Sequence, residues 1–220
     1  IRRFEKVTAD VVASYIHGGG RIGVLVAGNG ASDDAAKEAL TNIAMQIAAM
    51  NPQYISRDEI SADELAKMKE ITIDSALNDP FSLPKPVLSK LIEKAVAGVW
   101  SAEDVAIYEE KKSNMNFLPN FLSKEAKAQL AEIACADKEE ISGNKIFSGL
   151  VEGRISKQMK EICLLDQGYV KAEDGKQTVA AYLKSVNPAL KIAKFVRFEV
   201  GEGMEKKNED FAAEVASMVK

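Results

Sequence analysis

The chain has 220 residues, 46% of them hydrophobic and 28% charged, with a formal net charge of −4. That length buries a real core, as one large domain or two small ones. The small acidic excess argues against a nucleic-acid or anionic-membrane binder, which needs a basic surplus to neutralise phosphates, and no run approaches 18 consecutive apolar residues, so no span of a bilayer is expected.

Ile1-Arg2-Arg3-Phe4 resembles neither a signal peptide nor a natural start, so the chain is expected to be a fragment. Arg2 to Val7 alternates weakly, as a strand would. The stretch from Tyr15 to Ala27 reads as a short strand, a turn at Gly18-Gly19-Gly20 and a long strand. Ile22, Val24 and Val26 fall on one face, and Gly23, Leu25 and Ala27 on the other. With neither face polar, this second strand belongs at the centre of a sheet, covered by helices on at least one side. After Gly28-Asn29-Gly30, Ser32 is expected to cap a helix whose first turn carries Asp33 and Asp34. Ala36, Leu40, Ile43, Ala44, Ile47 and Ala48 form its apolar stripe, and Asn51-Pro52 stops it.

Ser61 followed by Glu64 is a capping box that opens a helix to about Leu77. Beyond the breaks at Asn78-Asp79-Pro80 and Pro84-Lys85-Pro86, the pattern is helical from Val87 to about Ser148. Leu88, Leu91, Ile92 and Val96 make one stripe, and Leu122, Ala126, Leu130 and Ile133 another. Residues 56 to about 160 therefore read as a helical insertion. The stretch from Cys163 to Val170 is extended or looping, Thr178 caps a helix through Val186, and Ile192 to Val200 alternates as a strand with Ile192, Val196, Phe198 and Val200 on one face. An amphipathic helix from Asn208 to Met218 closes the chain, with Phe211, Val215 and Met218 on its stripe. The expected class is α+β: a small antiparallel sheet packed with helices, interrupted by a long, coiled-coil-like helical insertion and followed by a C-terminal helix.

Chemistry is hard to find in this pattern. Gly18 to Gly20 leads into a strand, not a helix, and no Gly-Lys-Ser/Thr follows, so it is a hairpin turn and not a phosphate loop. His17, the single histidine, has no Gly-x-Ser-x-Gly or comparable nucleophile to serve, whereas a rigid turn suits a contact residue. Cys135 and Cys163 form neither a disulfide framework nor, with one histidine, a metal set; both are expected as buried thiols in a cytoplasmic protein. The acidic pairs Asp33-Asp34, Asp58-Glu59, Glu109-Glu110 and Glu139-Glu140 sit at helix starts or on charged faces. Trp100 and Phe117-Leu118-Pro119 read as core or subunit contacts. The terminal helix, set off by Gly201-Glu202-Gly203 and Glu205-Lys206-Lys207, reads as an arm for a partner. No enzyme, no cofactor and no metal are expected; a protein–protein role is.

Six blocks then occur in a familiar order: Tyr15-Ile16-His17-Gly18 with Arg21 to Val26, Ile43 to Ala49, Val151-Glu152-Gly153-Arg154, Arg197 to Gly203, and Asp210 to Ala216. In these the chain resembles the elongation factor Ts family, the nucleotide exchange factors of the translation GTPase elongation factor Tu. The likeness covers both ends well and is thin between Leu77 and Leu150. It implies a strand left from a preceding core subdomain at 1–10, a core subdomain split between 11–55 and 161–203, a helical dimerisation insertion at 56–160 and a C-terminal module at 204–220. It also implies that His17 and Gly18 lie against the nucleotide-binding domain of elongation factor Tu. Tyr169, Val170 and Lys171 would touch that protein's third domain, and Phe211 and Val215 would pack from the terminal helix. The family's N-terminal helical domain and its Thr-Asp-Phe-Val segment have no counterpart in these residues, and Lys171 is polar where family members can carry an apolar residue. The implied function is GDP release from elongation factor Tu, with a homodimer through the insertion as an added contact. The alternative is a structural self-association module without exchange activity.

Overall fold

The computed structural model describes residues 3–173 and 175–203. In chain order the elements are β1 (Val11–His17), β2 (Ile22–Asn29), α1 (Asp34–Met50), α2 (Ala62–Asn78), α3 (Lys85–Gly98), α4 (Ala102–Lys111), α5 (Lys124–Ala136), α6 (Lys138–Ser142), α7 (Lys145–Ile162), α8 (Val179–Val186) and β3 (Lys191–Glu199). They fall into two compact units, one holding β1, β2, α1, α8 and β3, the other, residues 56–167, holding α2 to α7. The class is α+β, with one small antiparallel sheet among many helices.

The first unit holds the sheet, in the order β1-β2-β3 with both pairings antiparallel. β2 is central, as its two apolar faces require, and Val24, Val26 and Ala27 are buried. The register puts Val11, Ala13 and Tyr15 beside Gly28, Val26 and Val24 on one face. α1 packs across β1 and β2, bringing Ala36, Leu40, Ile43, Ala44 and Ile47 into the core. The approach is close enough that a Cβ on Gly28 would come within 3.0 Å of a Leu40 methyl and 3.1 Å of a Leu190 methyl. α1 ends where Asn51 turns left-handed at φ 47°, its N–H bonding the Ile47 carbonyl, and Pro52 follows.

Three local expectations for this unit are corrected. The helix cap is Asp33 and not Ser32, because Asp33 Oδ1 accepts the Ala36 N–H at 2.7 Å, three residues into the first turn. The described part of the Arg2–Val7 stretch forms no strand; it is tied by side chains, with Arg3 over the Phe198 ring at 4.1 Å and Glu5 paired to Lys194 at 3.3 Å. Ile192 leaves the face of Val196 and Phe198, because Ala27 pairs with Lys194 while Gly28 pairs with Ile192. One extra β3 residue between those pairs is a β-bulge, which reverses the alternation beyond it.

The second unit consists of α2 to α7 around a core that includes Leu77, Leu91, Ile92, Leu118, Leu130 and Phe147. Ser61 and Glu64 form a reciprocal capping box at the start of α2. Trp100 is buried, its indole N–H donating to the Ala126 carbonyl at 2.9 Å. Leu118 is buried with it, but Phe117 is 59% exposed: the short turn at 118–120 points one of two successive apolar side chains inward and leaves the other in water. Cys163 is buried and Cys135 is exposed, so the expectation of two buried thiols holds for one only. Cys135 falls on the solvent side of α5, one residue after the buried Ala134.

Asp104 is nearly fully buried and joins the starts of α4 and α5. Its Oδ2 accepts from the Ser101 hydroxyl at 2.8 Å and the Ser123 hydroxyl at 2.9 Å, while Oδ1 accepts the Ser123 N–H at 2.9 Å. Ser101 and Ser123 are themselves the N-caps of the two helices. Burial alone would push this carboxyl up; the Ser123 amide and the two hydroxyls outweigh it and hold the group below the usual carboxylate range.

Candidate partner-binding site

The tip of the β1–β2 hairpin is built from a conformation only glycine adopts freely. Gly18, Gly19 and Gly20 all have positive φ, at 59°, 63° and 95°. The turn is closed by the Arg21 N–H on the Gly18 carbonyl at 3.4 Å, and the Val200 N–H reaches the Arg21 carbonyl at 2.8 Å just beyond β3. His17 and Gly18 are exposed, and Ile16 is 66% exposed beside them. Tyr15 and His17, two residues apart on one strand, face the same side. The Tyr15 hydroxyl and His17 Nδ1 lie 3.0 Å apart in a hydrogen bond, with ring centroids at 5.8 Å. The phenol orients the imidazole, and the tip presents hydrogen-bonding groups and apolar surface.

On the Tyr15–Val24 row the third strand contributes Arg197. Its side chain is 13% exposed, with Nη1 donating to Glu199 Oε2 at 2.8 Å. Its Nε is buried without a partner among the described residues.

The second set, Tyr169, Val170 and Lys171, follows an isolated antiparallel bridge between Gly168 and Thr178. Val170 is 50% exposed and Lys171 is exposed, whereas Tyr169 is buried. The Tyr169 ring stacks on Tyr182 with centroids 4.0 Å apart and planes 12° from parallel. Burial, a hydrogen bond to Tyr182 and that neighbour's charge push the Tyr169 phenol well above its ordinary range, so it stays neutral. Tyr169, Lys171 and Tyr182 border an open cleft of about 740 Å³ that Asn42, Glu173, Lys176, Gln177 and Ser185 also line.

His17 and Gly18 thus share one turn, and Tyr169 to Lys171 share one loop. The link between them is α1, which packs on β1 and holds the loop through Asn42 and Gln46. Phe211 and Val215 lie outside the described residues. Asn42 and Gln46 were not singled out from sequence. The signal was there: Gln46 is a polar residue inside the apolar stripe of Ile43 and Ile47, and a buried amide needs partners.

Elsewhere the structure offers little chemistry. Burial raises the Cys163 thiol, as does Asp166, against the opposing Arg57 charge, so it is a poor nucleophile. Among the described residues no group of three His, Cys, Asp or Glu side chains is placed to hold a metal ion, and no helix is long and apolar enough to cross a membrane.

Comparison with known proteins gives one consistent result. The profile of the family described as Elongation factor TS matches residues 1–202. Proteins named Elongation factor Ts from Clostridioides difficile strain 630, Desulforamulus reducens and Clostridium botulinum strain Eklund 17B are 37%, 35% and 35% identical to it. Each alignment covers all of this chain, and 54%, 76% and 54% of those relatives respectively. The chain therefore spans about half the length of two of them and about three quarters of the third.

Proposed function

The chain belongs to the elongation factor Ts family, and from that premise we propose that it grips elongation factor Tu and promotes the release of GDP from it. The observation that carries this reading is the exposed tip at His17 and Gly18, set on the central hairpin and fixed by three glycines of positive φ and the Tyr15–His17 hydrogen bond. An exchange factor needs no acid, base or metal of its own. Its binding and the binding of GDP with magnesium oppose each other on the GTPase, and that coupling is reciprocal. The factor acts by holding a GTPase conformation in which phosphate and magnesium contacts are poor.

In this scheme His17 and Gly18 meet the nucleotide-binding domain, the loop at Tyr169 to Lys171 meets the third domain, and Phe211 and Val215 pack from the terminal segment. Residues 11–55 and 161–203 form the gripping core, with 56–160 as an insertion. The protein works in the cytoplasm, beside the ribosome's supply of GTPase.

The test is stopped-flow release of a fluorescent GDP from elongation factor Tu. The chain is expected to accelerate release, and His17→Ala to lower the acceleration by about tenfold, the usual scale for losing one well-placed interface contact. Release unaffected by the wild-type chain overturns the reading.

A second reading, self-association through the insertion, draws on one observation. A groove of about 360 Å³ opens in the helical unit beside Ile60, Leu65, Ile155 and Met159, and Leu65 and Ile71 of α2 are exposed. Sedimentation that shows a dimer lost on Leu65→Lys, with no affinity for the GTPase, would favour it.

A further inference from the structure

We propose that Gln46 is a positioning residue: buried where no partner can touch it, it locks the backbone that presents Val170, and so sets the affinity of the Val170 contact. The proposal rests on the exchange-factor reading above and gives a role to Gln46, which lies in one of the blocks that carry the family resemblance but has no role implied by it.

Gln46 lies on α1 with no exposed surface. Its Nε2 donates to the Gly168 carbonyl at 3.0 Å, and its Oε1 accepts the Val170 N–H at 2.8 Å. One side-chain amide thereby supplies the donor and acceptor that a neighbouring strand would offer to residues 168 and 170. The other edge of the segment is also engaged, since the Tyr169 N–H donates to the Gln177 carbonyl at 2.8 Å and Gly168 bridges Thr178. Three residues that belong to a loop are therefore bonded on both sides, like a short inner strand.

Asn42, one turn earlier on α1, fixes the side chains around them. Its Nδ2 donates to the Tyr182 hydroxyl at 2.9 Å, and its Oδ1 accepts from Lys171 Nζ at 2.8 Å. Tyr182 in turn stacks on Tyr169. Tyr169 is held within the unit and Lys171 is tied to Asn42, while Val170 keeps half its surface in water. An aliphatic side chain on an immobilised backbone enters a partner's apolar pocket with little left to order, which is how preorganisation raises affinity. Without the Gln46 amide, the Val170 N–H and Gly168 carbonyl lose their partners and the segment is free to swing.

The experiment is a double-mutant cycle read by affinity for elongation factor Tu, using the full chain with Gln46→Met, Val170→Ala and the pair. Each single change is expected to weaken binding by about tenfold, a typical loss for one ordered contact, and Gln46→Met is expected to add nothing once Val170 is gone. A merely structural role would lower the melting temperature but leave the two effects on binding independent. Unchanged affinity in Gln46→Met, or losses that multiply in the pair, overturns the proposal while leaving the exchange-factor reading intact. A wild-type chain that does not bind the GTPase sinks both. If Gln46→Met does not fold, hydrogen exchange on the wild-type chain decides: a Val170 amide protected as well as those of α1 supports the lock, and exchange at open-loop rates overturns it.

Discussion

In the sheet-bearing unit the buried tie is Gln46, a neutral amide that reaches backbone groups 122 and 124 positions away; in the helical unit it is Asp104, a carboxylate that reaches Ser123, 19 positions on. The choice follows from what each must join. An extended segment offers carbonyls and N–H groups in alternation, which only a group with both a donor and an acceptor can splice into. Two helix starts offer N–H and hydroxyl donors alone, and an acceptor-only carboxylate suits them and the positive ends of the helix dipoles. One tie is indifferent to pH and the other is not.

The largest test of this contrast asks whether the units stand separately. Phe147→Ala empties a fully buried site in the helical core and is expected to cost about 3–5 kcal/mol. Trp100, the chain's single tryptophan, reports that unit by fluorescence, while hydrogen exchange of β2 amides reports the other. Equal loss in both would make the molecule one cooperative body and dissolve the comparison. Next in size, Asp104→Ala strips three donors of their acceptor, and urea melts followed at Trp100 should show a loss of about 2–3 kcal/mol.

The pH dependence should separate the ties more finely. The folded-state pKa of Asp104 is depressed, so its contribution is present above the unfolded value of about 3.9 and is lost as pH falls through the lower folded value. Acid should thus weaken the helical unit in a way that Asp104→Asn abolishes, while the Gln46 tie is silent across the same range. At the alkaline end the sign reverses. Lys94, Lys112 and Lys138 are raised by hydrogen bonds to Asp137, Glu109 and Asp74. Their help is complete below the ordinary lysine range and lost as pH climbs through their folded values; being solvent-screened, it is small. Smallest of the substitutions is Ser61→Ala, which removes one side of the α2 capping box and should cost about 1 kcal/mol by thermal melting.

What could be read from sequence was local. Gly18 to Gly20 between two apolar alternations announces a hairpin, Ser61 with Glu64 a helix start, and Thr178 the cap of α8, which accepts the Ala181 N–H at 3.2 Å. Each signal acts within four residues of its cause. The β3 bulge is decided by pairing with β2, and no property of Ile192 or Ala193 alone reveals it. The family resemblance implies Tyr169 as a contact residue; Tyr182, thirteen positions on, stacks on its ring and holds it within the unit. Gln46 stands out as a polar residue in an apolar stripe, but its partners, like the Ser123 that binds Asp104, come from other elements and were illegible. At the tip, the exposure of His17 follows from the turn, but its bond to Tyr15 needed the strand's actual geometry.

The turn that carries His17 has a consequence of handedness. Positive φ at three consecutive residues is the mirror of the region natural side chains prefer, and it is where D-amino acids are most at ease. Gly19 has open space around it. An ordinary L-alanine placed there would fight the loop, whereas its D enantiomer, introduced by chemical ligation, would brace it. The two chains would differ in nothing but the chirality of one carbon.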